Sequence, residues 1–304
     1  MKSVGFLYDD IYIKHKTPAG HPENCNRLIS IINSIDSTNL WSSLIRIAVR
    51  KATYEEIALI HSERYINRVK RFGTGYLDSD TYMSENSLEA ACFAAGAVIE
   101  AIAHCRKGTF ERAFCAVRPP GHHAEADAAM GFCIFNNVAI GARYAQSIGC
   151  KKVFIIDFDV HHGNGTQHAF EKDRSVFFFS THQHPHYPGT GAKSERGRDT
   201  GEGFTFNSPM SAGSGDAEFT KVYEDVMPKL VDDFAPDIIL VSAGYDILDA
   251  DPLSATRVSQ AGIRSIVRSI IRCSSVPIVF TLEGGYNLTA LGKAVKGTIE
   301  EMLQ

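Results

Sequence analysis

The chain has 304 residues, of which 44% are hydrophobic and 22% are charged, and its formal net charge is -4. This apolar content is sufficient for a substantial core, and one α/β domain over residues 1–304 is favoured over two smaller domains. Because no block of lysine or arginine stands out, binding of nucleic acid through a basic face is not expected.

The sequence also bears on cellular compartment. We recognise no export signal and no run of about 20 apolar residues, so neither secretion nor a membrane partner is expected. Seven cysteines occur without a Cys-x-x-Cys pair, at positions 25, 92, 105, 115, 133, 150 and 273. Reduced, buried thiols in a cytoplasmic protein are the plain interpretation.

Strand-like and helix-like segments alternate along the chain. Short apolar runs predict six strands, at 4–8, 113–117, 153–158, 176–180, 238–242 and 278–282. Amphipathic segments between them predict helices at 23–36, 54–71, 87–106, 136–148, 217–233, 257–272 and 287–303. This alternation predicts a parallel, doubly wound sheet with helices on both faces. The irregular stretch 181–203 is expected at the rim of a site.

Two adjacent histidines follow the predicted strand 113–117, in the motif Arg118-Pro-Pro-Gly-His-His-Ala124. The prolines and Gly121 predict a rigid turn that presents His122 and His123 at the end of the strand. Histidine has a pKa suited to accepting a proton from water and donating one to a leaving amine. Taken alone, the pair could also be surface histidines.

Metal-ligand side chains follow the predicted strand 153–158. In an extended strand side chains alternate, so Asp157, Asp159 and His161 should share one face. Ligands of parallel sheets gather at the carboxyl ends of strands. Two carboxylates and an imidazole suit zinc, and also ferrous iron, manganese or cobalt. The alternative is that an aspartate here caps the following helix.

Two further motifs end predicted strands at the same edge: Ser242-Ala-Gly-Tyr-Asp246 and Glu283-Gly-Gly-Tyr-Asn287. Asp246 could complete the metal site. Tyr286 could donate a hydrogen bond to a developing oxyanion. In isolation, a helix cap and a core aromatic residue would be the more ordinary interpretations of these two side chains.

Taken in order, six motifs resemble the histone deacetylase/acetylpolyamine amidohydrolase superfamily: RPPGHHA, GFCIFNN, DFDVHHGNGTQ, YPGTG, SAGYD and LEGGYN. The resemblance covers essentially the whole chain, and HHGNGTQ with LEGGYN is more similar to the class II and bacterial branch than to class I. It implies the arginase/deacetylase fold, a single eight-stranded parallel sheet flanked by helices, in one zinc-dependent deacetylase domain.

The resemblance also implies roles for individual residues. Asp159, His161 and Asp246 would be the zinc ligands, with Fe²⁺ or Co²⁺ as alternatives. His122 would pair with Asp157, and His123 with Asn164. The implied reaction is hydrolysis of an acylated amine by a water molecule that the metal activates. In it His123 acts as general base and then acid, His122 assists electrostatically, and Tyr286 donates to the oxyanion.

Several family features are carried over at single positions. Asn164 lacks the charge of the aspartate found in other members, so a less basic His123 is expected. A structural potassium ion is expected near Asp157 and Ser180. The resemblance suggests a tunnel for an extended amine, walled by Gly131, Phe132 and Tyr187. Arg27 matches a residue near an internal acetate channel, and a helix-to-core salt bridge is its alternative.

The leading hypothesis for the substrate is acyl-lysine in proteins or peptides. An acetylpolyamine amidohydrolase is the close alternative, since a second ammonium could meet Asp249 or Asp251. Leu253 argues against it, because polyamine-selective relatives can carry an acid at that position. Two other hypotheses are a metal-free, inactive binding module and a two-metal ureohydrolase like arginase. No motif indicates an oligomeric state.

Overall fold

The computed structural model describes residues 3–304, and its centre is one parallel sheet of eight strands in the order β2-β1-β5-β10-β9-β6-β7-β8. Its strands and those of a separate antiparallel pair, β3 and β4, are β1 Val4–Leu7, β2 Leu44–Ile47, β3 Gly75–Tyr76, β4 Tyr82–Met83, β5 Arg112–Cys115, β6 Val153–Asp157, β7 Val176–Gln183, β8 Thr205–Met210, β9 Ile238–Ala243 and β10 Ile278–Leu282. The predicted fold class is confirmed.

Helices surround this sheet. They are α1 Ile11–Lys14, α2 Asn26–Asp36, α3 Tyr54–Ile57, α4 Glu63–Phe72, α5 Ser87–Arg106, α6 Asn137–Ser147, α7 Asn164–Phe170, α8 Asp216–Lys221, α9 Met227–Phe234, α10 Gln260–Arg272 and α11 Leu288–Met302. Every residue of β6, β9 and β10 is buried. A strand buried on both faces requires cover on both sides of the sheet, which these helices supply.

The main differences from the predicted elements lie at the edges of the sheet. β2 and β8 were not predicted, and both are edge strands in which only some of the residues are buried. The predicted helix 54–71 is two helices, because Ser62 begins α4 by accepting a hydrogen bond from the Tyr65 amide. The capping box of Thr53 and Glu56 is present, but it begins only the short α3.

Helix α5 corrects one expectation about membranes. By length and composition it is long and apolar enough to cross a bilayer, contrary to the expectation that no segment of the chain is. In this structure 67% of its most apolar window is buried inside the protein, as in the core helix of a globular domain. The seven cysteines are free, and five of them are buried, as predicted.

The topology brings the four motif-bearing strands together. β5, β10, β9 and β6 are consecutive neighbours in the middle of the sheet. Their carboxyl ends therefore lie side by side, and the loops that follow them meet above the centre of the sheet. β6 ends at Asp157, earlier than predicted, so the metal-ligand side chains beyond it lie on a loop.

Candidate active site

Three potential metal ligands converge on the loops after β6 and β9. Ligand atoms of Asp159, His161 and Asp246 all lie within 4.8 Å of one another. The Nδ1 atom of His161 is 3.1 Å from an oxygen of Asp159 and 3.2 Å from an oxygen of Asp246. Both carboxylates are buried, with Asp159 1% and Asp246 0% exposed. These three side chains form one compact, water-poor group.

The electrostatics of this group fit a bound cation. Asp246 Oδ2 is buried and has no hydrogen-bond partner, although His161 Nδ1 lies 3.2 Å away. Burial would lower the pKa of His161, but the nearby carboxylates of Asp159 and Asp246 outweigh burial and raise it to about 10. Two carboxylates facing one imidazole thus attract a positive charge, and their donor set suits zinc.

Backbone groups hold the two carboxylates in place. The amide of Val160 donates to Asp246 Oδ1 at 2.9 Å, and the amide of Gly284 donates to Asp159 Oδ2 at 2.7 Å. A Cβ atom at position 284 would lie 2.0 Å from Asp246 Oδ2. Glycine is therefore required at this close approach.

The adjacent histidines lie in contrasting environments. His122 Nδ1 is 3.0 Å from Asp157 Oδ2, and His123 Nδ1 is 2.7 Å from Asn164 Oδ1. Burial would lower the pKa of His122, but Asp157 and Asp159 raise it to about 10. For His123, burial and the charge of His122 hold the pKa well below its usual range. His123 is thus the neutral imidazole of the pair.

Glu283 fixes the turn that carries these histidines, a contact that the sequence analysis missed. Its Oε2 atom accepts hydrogen bonds from the amides of Gly121 at 2.6 Å and His122 at 3.2 Å. Its Oε1 atom accepts from the Ser242 hydroxyl. Burial raises the pKa of Glu283 to about 7. An acidic residue immediately after a buried strand was the available signal.

A narrow cavity of about 100 Å³ leads to this group. The predicted tunnel residues Gly131, Phe132, Tyr187 and Leu253 all line it. Asp80, an acid that was not predicted, lines it as well, together with His123, His161 and Tyr286. Gly131 and Phe132 both have left-handed backbone angles, with φ of 55° and 69°. A Cβ atom at position 131 would lie 2.4 Å from the His123 ring, so glycine lets the wall approach the histidine.

Tyr286 is held from both sides. Its amide donates to Asp251 Oδ2 at 2.6 Å, and the Arg27 guanidinium lies 5.0 Å from the centre of its ring. Arg27 also donates to the carbonyl oxygen of Gly285 at 2.7 Å.

Asp251 is 7% exposed, so the expectation that it could meet a distant ammonium is wrong. Asp249 is exposed, and Asp80 is the acid that lines the cavity.

A buried ionic cluster packs against the loops that follow β5 and β10. Arg118 binds both carboxylate oxygens of Glu23, and it donates to the carbonyl oxygens of Tyr12 and His15. Arg27 adds a salt bridge to Glu23 at 3.2 Å, which is the structural alternative stated from the sequence. Burial opposes a charge on Glu23, but Arg118 and His15 hold its pKa well below the usual range.

Replacing Glu23 by Gln is expected to lower the free energy of unfolding by about 3–5 kcal/mol, because Arg118 would remain buried without its counter-charge. Since the folded-state pKa of Glu23 is depressed, its contribution is present above the unfolded-state value and is lost as the pH falls. Urea unfolding should give a constant difference from wild type between pH 8 and about pH 5, narrowing below about pH 4. Glu89→Gln, at an exposed position on α5, is the matched control.

The potassium prediction rests on Asp157 and Ser180, which pair in register on β6 and β7. Both oxygens of Asp157 and the hydroxyl of Ser180 already have hydrogen-bond partners: the Asp159 amide, His122 and His182. No unpartnered side-chain oxygen of this pair points to an ion, and the potassium site stays a prediction.

Comparisons with known proteins agree with the family resemblance of the sequence motifs. A family model described as the histone deacetylase domain matches residues 21–302. Histone deacetylase 5 of Arabidopsis thaliana is 36% identical over 325 residues, covering 100% of this chain and 49% of that protein. Histone deacetylase 9 of Homo sapiens is 35% identical over 343 residues, covering 99% of this chain and 34% of that protein. A crystal structure of the HDA15 HD domain superposes with a TM-score of 0.94 at 36% identity, covering 99% of this chain and 90% of that chain.

The fold is thus the arginase/deacetylase fold, with the group of Asp159, His161 and Asp246 at the carboxyl edge of its sheet. The chain belongs to the histone deacetylase family, and the class II-like resemblance fits its plant and animal relatives. It spans about half the length of the first Arabidopsis relative that it matches.

Proposed function

We propose that this chain is a zinc-dependent amidohydrolase that removes acyl groups from the amine of lysine side chains. One observation carries the proposal: His161, which is grouped with Asp159 and Asp246, lines a narrow cavity together with His123 and Tyr286. A ligand set, a neutral imidazole and a phenol at one point are the components of amide hydrolysis. Membership of the histone deacetylase family supports the same reaction.

The ligand set would hold zinc, which would supply an activated water molecule and polarise the acyl carbonyl. His123, neutral because of its lowered pKa, takes a proton from the attacking water and returns it to the leaving amine. His122, charged because Asp157 raises its pKa, stabilises negative charge as it develops. Tyr286 donates its hydroxyl proton in a hydrogen bond to the oxyanion. The cavity holds the aliphatic part of the substrate and excludes water.

Tyr286→Phe is expected to lower kcat by roughly 10² to 10³, the usual cost of losing one oxyanion donor. Zinc content and KM should change little, because the ring packing against Phe132 is retained. Steady-state kinetics together with metal analysis measure both effects. Tyr82→Phe, a tyrosine of the β3–β4 hairpin that does not line the cavity, is the control. Unchanged turnover in Tyr286→Phe would refute the assignment.

A small acylated amine such as an acetylpolyamine is the second candidate substrate, and Asp80 is the observation that favours it. Asp80 lines the cavity and could meet a second ammonium group. Leu253 lines the same cavity and offers no charge there. Asp80 could also accept a hydrogen bond from a peptide N–H of an acyl-lysine substrate, so its presence is compatible with both substrates. Acyl-lysine therefore stays the leading proposal.

The deciding measurement compares kcat/KM of the zinc-loaded protein on an acetyl-lysine peptide and on acetylputrescine in one buffer. A clear preference for the peptide supports the lysine proposal. Preference for acetylputrescine that disappears in Asp80→Asn supports the polyamine alternative. Activity on neither, combined with absence of bound metal, would support the inactive binding module.

The two-metal ureohydrolase alternative finds little support. A second group of potential ligands, His122, Cys133 and Glu283, lies within ligand distance in the described residues. Glu283 already accepts hydrogen bonds at both oxygens, and His122 is paired with Asp157. Zinc analysis of a dialysed sample is therefore expected to give about one ion per chain, and about two would support a ureohydrolase.

The cytoplasmic location stays a prediction, since some relatives are named as chloroplastic.

A further inference from the structure

His123 lies at the inner end of a hydrogen-bonded chain that reaches the protein surface. Its Nδ1 atom is 2.7 Å from Asn164 Oδ1, and Asn164 Nδ2 donates to Glu125 Oε1 at 2.5 Å. Glu125 Oε1 in turn lies 2.9 Å from His168 Nδ1. The side chain of Glu125 is 28% exposed and that of His168 is 42% exposed. Asn164 and His168 are one turn apart on α7, so both face Glu125.

The orientation of the Asn164 amide decides which nitrogen of His123 carries the proton. With Oδ1 facing the ring, Nδ1 must be protonated, and the lone pair of the neutral imidazole is on Nε2. If the amide were rotated by half a turn, Asn164 Nδ2 would donate to Nδ1. The proton would then be on Nε2, and His123 would have no basic nitrogen for the reaction.

Glu125 opposes that rotation. Three acceptors surround Asn164 Nδ2: the Glu125 carboxylate at 2.5 Å, the His123 carbonyl oxygen at 3.3 Å and the Met130 sulfur at 3.4 Å. Rotation would turn the Asn164 oxygen toward all three. The carboxylate is the only one of them with a full negative charge, and charge-assisted hydrogen bonds are roughly twice as strong as neutral ones.

Main-chain hydrogen bonds hold Glu125 in position independently of its contact with Asn164. Its amide donates to the Ala128 carbonyl at 2.9 Å, and its carbonyl oxygen is 2.9 Å from His61 Nδ1. These contacts fix the main chain from which the carboxylate reaches Asn164.

We propose that Glu125 is a positioning residue that fixes the Asn164 amide and, through it, the Nδ1-protonated tautomer of His123. The inference rests on the proposed function for its kinetic consequence, but the tautomer itself is a property of the protein alone. An aspartate at position 164 would need no such device, because a carboxylate presents an acceptor in either orientation.

A double-mutant cycle tests the proposal. Glu125→Gln is expected to lower kcat on an acetyl-lysine peptide about tenfold with KM little changed, since a glutamine can face either end of the Asn164 amide. In an Asn164→Asp background the same change is expected to raise kcat, because Glu125 and the new carboxylate repel each other there. A residue that only supports the fold would lower kcat in both backgrounds.

The spectroscopic readout needs no turnover. Nitrogen-15 NMR of histidine-labelled protein as purified distinguishes the two tautomers, and the His123 signals are assigned by their loss in His123→Ala. Wild type should carry the proton on Nδ1, and Glu125→Gln should show a mixture. Glu171→Gln is the control, because Glu171 also carries charge near His168 but forms its salt bridge with Arg198.

The outcomes separate the two proposals. An unchanged tautomer and unchanged kcat in Glu125→Gln, or losses of kcat in both backgrounds, would overturn the role of Glu125. A wild-type protein that binds zinc but hydrolyses neither acyl-lysine nor acetylpolyamine would instead overturn the proposed function, while the NMR result would still decide the inference.

Discussion

His123→Ala is expected to lower kcat by about 10² to 10⁴ while leaving zinc content unchanged. General acid–base catalysis contributes factors of this size, and His123 is the neutral imidazole that lines the cavity. The side chain makes its hydrogen bond to Asn164 rather than to the ligand group, so the metal site should survive its removal. Steady-state kinetics and metal analysis of the dialysed variant measure both quantities.

His104→Ala provides the control for that experiment, since His104 lies in the last turn of α5 and does not line the cavity. It should retain wild-type kcat. Loss of zinc from His123→Ala would mean that His123 is a ligand, and the roles of the two histidines would have to be redrawn. Wild-type turnover in that variant would mean that another group is the base.

Asp159→Ala is expected to reduce bound zinc from about one ion per chain to nearly none, with turnover lost together with it. The substitution removes one of three converging potential ligands and leaves the Gly284 amide without its acceptor. Zinc per chain after dialysis is the measurement. Circular dichroism verifies that the variant is folded.

Asp249→Ala is the matched control, because Asp249 is an exposed acid on the loop after β9 that also carries the proposed ligand Asp246. It should keep its zinc. Asp246→Asn supplies a second test with a smaller change in shape, and it should also lose the metal. Full zinc content in a folded Asp159→Ala protein would contradict the ligand assignment.

The centre of the fold could be predicted because its strands are buried on both faces. Such strands are continuous apolar runs, as in β6 and β9, and they are recognisable without knowledge of their neighbours. β2 and β8 lie at the edges, where partial exposure dilutes the apolar pattern, and β8 also contains Pro209. The break between α3 and α4 was missed because the apolar period continues across Ser62, which acts as a cap.

The site was predicted to the extent that its residues directly follow predicted strands. The structure brings the three expected ligands together and places His161, His123 and Tyr286 in the lining of one cavity, while their catalytic roles stay predictions. Asp80 and Glu125 come from loops between elements, and only tertiary packing brings them to the site. Asp251 was misjudged for the same reason, because its partners are backbone amides of a distant loop.

The left-handed backbone at Phe132 sets fold stability against the shape of the cavity. A bulky residue with φ of 69° costs of order 1 kcal/mol or more, which glycine or asparagine would largely avoid. Yet the Phe132 ring packs edge-on against both His21 and Tyr286, so the strained position is also the one that narrows the cavity. Selection for stability alone would favour a small residue there. The aromatic ring that narrows the cavity is therefore held at a backbone position that lowers the stability of the fold.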